Sequence, residues 1–147
     1  MGRGAPPHPP RPSPVATLTA FIDTNVLIRH LTGDPPDMAA RATALLASGQ
    51  RLLLADLILA ECVYVLESFY EVKRNRIALL MRSALALPSI ETVDAALLLR
   101  ALEVYETDRV DFAEAYLVAL AEASGVGAIA SFDRSIDKIA SVSRCEP

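Results

Sequence analysis

From Leu18 onward the chain alternates short apolar runs with longer segments whose apolar residues recur at helical spacing. LTAFID reads as a brief strand that closes on Asp23, and VLIRHLTG predicts a short helix stopped by Gly33. In DPPDMAARATALLASGQ the prolines stand near a helix start, Met38, Ala42, Leu45 and Leu46 share one face, and Gly49 ends the run. RLLLA is apolar without alternation, which suits a parallel strand covered on both faces.

The second half repeats the rhythm. DLILAECVYVLESFY is too long for a strand and opens on Asp56, a good N-cap, so it predicts a helix over 56–70. A further helix runs from Lys73 to Leu87 and stops at Pro88, and a third short strand falls within Pro88–Thr92. VDAALLLRALEVYE predicts a helix with Asp94 in its first turn, and VDFAEAYLVALAEASG another, closed by Gly125. AIASFD is a strand that again ends on an aspartate, Asp133; SIDKIA is a brief helix and VSRC a last strand. This alternation predicts a single α/β domain, with a central, mainly parallel sheet flanked by helices as an α/β/α sandwich.

Composition narrows the picture. A chain of 147 residues, 52% hydrophobic and 22% charged, suits one core. Residues 1–17 hold six of the ten prolines and read as a disordered tail, leaving 18–147 as the domain. Asp56, Glu61 and Glu67 interrupt the most apolar segment, so no run reaches the roughly 18 apolar residues of a membrane span, and a soluble, cytoplasmic protein is expected. Cys62 and Cys145 belong to no metal-binding cluster, and His30 is the only histidine outside the tail. Acid–base or metal chemistry therefore has to run on carboxylates. A net charge of −4 argues against broad coating of nucleic acid, but a nuclease whose acids are compensated by divalent cations stays open.

Five carboxylates fit the core poorly. Asp23 and Asp133 close strands, where open α/β sheets gather functional groups, although each reads equally well as a cap for the next helix. Glu61 stands among Leu57, Ile58, Leu59, Ala60, Val63, Val65 and Leu66, so it faces water or has a partner such as a cation. Asp111 and Glu114 are three apart and share a helix face; Asp111 doubles as a possible N-cap, while Glu114 sits among Phe112, Ala113, Ala115, Tyr116 and Leu117. Magnesium and manganese take oxygen ligands and keep waters, which such a set of acids suits, with Thr24 and Asn25 as orienting neighbours of Asp23.

FIDTNVLI, AECVYVL, VDFAEAYLVALAEASG and ASFDRSIDKI, in this order and at these spacings, resemble the PIN domain family and within it the VapC-like toxins. The resemblance covers nearly the whole chain after residue 17. It implies a Mg2+- or Mn2+-dependent endoribonuclease that leaves a 5′ phosphate. Asp23, Glu61, Glu114 and Asp133 match the family's acidic quartet, Asp111 matches an additional acid, and Thr24 the small hydroxyl residue beside the first Asp. Two positions depart from the pattern: Glu114 stands where Asp is commoner, and Ser131 where Thr is common before the last acid. The resemblance also implies an RNA substrate, a homodimer and a cognate antitoxin that inserts a segment into the acidic pocket. Apolar surface for these partners is expected from Leu57, Val63, Tyr64, Phe69 and Tyr70, and RNA contacts from Arg29, Arg41, Lys73, Arg74, Arg76 and Arg134. An aspartyl phosphatase of the haloacid dehalogenase type is disfavoured, because Asn25 stands where its second acid belongs. A PIN-like interaction module without activity and a housekeeping PIN nuclease without an antitoxin are the alternatives.

Overall fold

The computed structural model describes residues 2, 4–8 and 19–147, so most of the tail expected over residues 1–17 lies outside the described residues. Five strands and six α-helices alternate: β1 (Thr19–Phe21), α1 (Thr24–Thr32), α2 (Pro36–Leu46), β2 (Arg51–Leu53), α3 (Asp56–Ser68), α4 (Arg74–Leu85), β3 (Ile90–Glu91), α5 (Ala95–Thr107), α6 (Phe112–Ser124), β4 (Ala128–Ala130), a 3-10 turn (Arg134–Lys138) and β5 (Ser143–Cys145). The chain is thus a single α/β domain, and every strand pairing among the described residues is parallel.

The strands form two hydrogen-bonded sets, one in the order β1-β2-β3 and one of β4 with β5. Parallel neighbours need a crossover, and α1 with α2 supplies it between β1 and β2, as α3 with α4 does between β2 and β3. β2 lies in the middle, with Leu52 buried, as its unbroken apolarity requires. The ladder runs one residue past β1, where the Ile22 amide donates to Leu53 O at 2.9 Å, and Asp23 follows at once. β4 stops earlier than expected. Ser131, Phe132 and Asp133 form a turn, so Asp133 stands three residues beyond the strand instead of closing it.

Helix ends follow local chemistry, with two corrections. Gly33 and Gly125 adopt the left-handed conformation (φ 73° and 75°) and end α1 and α6. Asp94 caps α5 from outside, its Oδ1 accepting the Leu97 amide at 3.0 Å, and is not in the first turn. Asp56 is the first residue of α3, not its cap; its Oδ2 accepts the Tyr116 hydroxyl instead, which ties α3 to α6.

One core runs through the whole domain. Leu27, Leu52, Leu59, Leu66, Ile77, Leu98, Leu102 and Ile136 are fully buried within it, so every helix and strand layer contributes an apolar face. Within it Tyr105 and Phe112 meet edge to face at 6.0 Å, which fixes the α5–α6 hairpin.

Arg74 holds that hairpin from outside. Its guanidinium lies 4.3 Å from the centre of the Tyr105 ring. Its Nη1 donates to the carbonyls of Tyr105 (2.9 Å) and Val110 (2.6 Å), and the Tyr105 hydroxyl donates to Glu67. Between the two helices Arg109 is held at φ 55°, a conformation uncommon outside glycine. Arg74 was expected among the RNA-contacting cations, but its donors are turned to this loop, the one that delivers Asp111. Tyr105 and Val110 are buried, so their carbonyls have little water to fall back on. Arg74→Ala is therefore expected to lower unfolding free energy by about 2 kcal/mol or more in urea titration. An unchanged midpoint and slope would contradict this role.

Candidate active site

The fold delivers Asp23, Asp111 and Glu114 to helix starts, Asp133 to a turn and Glu61 to the middle of α3. Asp23 occupies the N-cap position of α1 and Asp111 that of α6, yet neither side chain caps a backbone amide. Their oxygens are thus not spent on the helix, and the capping reading fails for both. Asp133 is different: its Oδ1 accepts the Ser135 amide at 2.9 Å, while its own amide donates to Ser131 Oγ at 2.9 Å. Asp133 therefore caps the 3-10 turn, and Ser131 holds its backbone amide.

Glu61 lies on α3, and Thr24 reaches it. The Thr24 hydroxyl, 4% exposed, donates to Glu61 Oε2 at 2.7 Å. That bond joins the first turn of α1 to the middle of α3 and leaves Oε1 of Glu61 available. Thr24 was expected to orient Asp23, its neighbour in sequence; the acid it orients is Glu61. Asn25 is exposed and lines a groove between α1 and α2.

Electrostatics group the acids into two sets. Cys62, buried beneath α3, has its thiol pushed up to about 12, first by burial and then by the negative charges of Glu61 and Asp23. Glu114, the only one of the five acids that is half-buried, is raised above the ordinary carboxyl value by burial, then by the charges of Asp133 and Asp111. Asp133 goes the other way, lowered mainly by hydrogen bonds from Ser135 and further by Lys138 and Arg144. So Asp23 stands with Glu61, and Glu114 with Asp111 and Asp133. The packing of α3 on α6 and the Tyr116–Asp56 bond fix the two helices that carry Glu61 and Glu114.

Arg144 was not anticipated. Its Nε and Nη2 grip both oxygens of Asp137 (2.9 and 3.1 Å), and Nη1 donates to the Ser131 carbonyl at 3.0 Å. From β5 it braces both ends of the turn that carries Asp133. A single arginine in a three-residue strand leaves no periodic signal in the sequence.

The donor set suits a hard divalent cation. All the candidate ligands are oxygens, Asp23 and Asp111 are uncommitted, and Glu114 feels two like charges with no basic side chain bonded to it. Among the described residues, however, no three of these acids stand together as a ready-made metal cage. The family model described as the PIN domain matches residues 20–142, a span that includes all five acids. The chain belongs to the PIN domain family. PIN domains are in general metal-dependent nucleases that act on RNA, and the oxygen-rich site here agrees in chemistry with that class. No curated protein matches the chain. Among the described residues no helix is long and apolar enough to cross a membrane.

The like charges around Glu114 give a direct test of the second set. Its carboxyl, followed by carbon-detected NMR, is expected to titrate above an ordinary glutamate, and Asp133→Asn is expected to lower its pKa, because a neighbouring negative charge opposes ionisation. A titration indifferent to that substitution would separate the two residues.

Proposed function

We propose that this PIN domain is an endoribonuclease dependent on Mg2+ or Mn2+, and that it is the toxin of a VapBC-type toxin–antitoxin pair, acting as a homodimer and neutralised by a cognate antitoxin. The observation that carries the nuclease reading is that Glu114 sits near the like charges of Asp133 and Asp111 with no basic side chain bonded to it, together with a Glu61 held in place by Thr24. Like charges gathered without basic partners call for a cation. The toxin reading rests on the resemblance of the sequence blocks, together with exposed Leu57, Tyr64 and Phe69 on and just after α3, which offer apolar surface for a second copy or an antitoxin.

Asp23, Glu114 and Asp133 would hold the cation, with Asp111 as a further ligand and Glu61 as a ligand or as the acceptor that positions a water. When bound, a divalent ion supplies Lewis-acid chemistry, lowering the pKa of water and offsetting charge on the phosphate. The chain's own part is placement. Thr24 holds one Glu61 oxygen so that the other is presented in a fixed direction, and Ser131 with Arg144 fixes the backbone from which Asp133 extends. Glu114 must be ionised to bind a cation, so its raised pKa makes cation affinity fall as pH drops through the value of that carboxyl.

A second reading, a PIN-like interaction module without catalysis, is favoured by the lack of a ready-made cage among the described residues. Cleavage of a labelled single-stranded RNA separates the two. The nuclease reading expects Mn2+- or Mg2+-dependent cutting that EDTA abolishes and that Asp23→Asn and Glu114→Gln each reduce at least about 100-fold, a barrier increase near 2.7 kcal/mol. Equal cutting by parent and variants, or none with either metal, would support the other reading.

A further inference from the structure

On the helix that Asp23 begins, α1 and α2 enclose a groove of about 370 Å3 lined by Asn25, Val26, Arg29, Met38, Arg41, Ala42 and Leu45. Its place follows from the sequence: Met38, Arg41, Ala42 and Leu45 recur at helical spacing on one face of α2, opposite Asn25, Val26 and Arg29 on α1. Asn25 lies two residues after Asp23, less than one helical turn, or about 5.4 Å, along α1 from the first acid.

The walls combine two chemistries. Val26, Met38 and Leu45 are apolar, and Met38 is exposed. The cations are unspent. Arg51, Arg82, Arg100 and Arg144 all pair with carboxylates, whereas Arg29 and Arg41 pair with none among the described residues. Arg29 donates only to the Asp34 carbonyl, at 3.3 Å, and its Nε is buried without a partner. A buried guanidinium donor without an acceptor is costly unless something supplies one.

We propose that this groove is a nucleotide subsite. The base beside the cleaved phosphate packs on Val26, Met38 and Leu45, and Arg29 and Arg41 hold the phosphate that follows. The inference rests on the ribonuclease reading above and extends it from the cut bond to its neighbour. A pocket of this volume accommodates one nucleotide but not a folded domain. In a chain of net charge −4, two arginines without carboxylate partners on the helices that follow Asp23 complement a phosphate backbone that must approach that acid. Apolar side chains against a base face add affinity without reading sequence strongly.

The test is equilibrium binding of a fluorescent single-stranded RNA to the full chain carrying Asp23→Asn, so that the RNA stays intact, across a salt series. Adding Arg29→Gln with Arg41→Gln is expected to weaken binding about tenfold or more. It should also reduce the slope of log affinity against log salt by about 0.7, the value for one lost phosphate contact on a single strand. Met38→Ala should weaken binding with the slope kept. Arg51→Gln, which removes one positive charge at the exposed start of β2, the end of the sheet away from Asp23, should do neither. Arg41→Gln alone, at an exposed position, should show about half the slope change and guards against a double variant that fails to fold.

Unchanged affinity and slope in the double variant would overturn the subsite, leaving the groove to a polypeptide or to no ligand. So would an equal loss with Arg51→Gln, which would mean diffuse attraction. Metal-dependent cutting by the parent chain distinguishes the levels. Cutting together with unaltered binding overturns the subsite alone, whereas neither cutting nor RNA binding overturns the ribonuclease reading along with it.

Discussion

Carboxylates brought close together repel one another, and the fold has to hold them against that repulsion. The clearest case is Glu114, half-buried on α6 and facing the charges of Asp111 and Asp133. The core supplies the restraint: α6 is fixed through Ala115, Val118 and Ala119 in the apolar interior and through the Phe112–Tyr105 contact. Burial on one face of a helix thus keeps three acids closer than they would stay in a flexible chain.

Around that constraint the polar contacts have a consistent purpose. Arg74 braces the loop before Asp111, Arg144 braces the turn before Asp133, and Thr24 directs Glu61. None of the three needs to touch substrate. Each fixes the backbone or carboxylate of an acid from the side away from it, so that rigid elements, and not the acids themselves, carry the positional precision. Arg51, Arg82, Arg100 and Arg144 pair with carboxylates, whereas Arg29 and Arg41, on the two helices that follow Asp23, do not.

Much of this was legible in the chain. Apolar periodicity located all six helices because burial of one face is what stabilises them, and unbroken apolarity identified β2 as an inner parallel strand. The acids stood out because their neighbours were apolar. What stayed hidden depends on side chains meeting across distance in sequence. Thr24 and Glu61 are 37 residues apart, and Arg144 and Ser131 thirteen. Asp56 looked like a cap because its position fits one, but a hydroxyl 60 residues away, on Tyr116, engaged it instead. The early end of β4 was equally invisible, since SFD continues a strand-like pattern while Ser131 and Asp133 turn the backbone through bonds to their own loop.

The central claim is that the two sets of acids serve one cation site. Its most direct test is a crystal structure of the chain grown with Mn2+, with the ion located by anomalous scattering. The account expects manganese bound by oxygens of Asp23, Glu114 and Asp133, with Glu61 in its first or second coordination layer. Manganese held elsewhere, or by one of the two sets alone with no oxygen from the other, would contradict it.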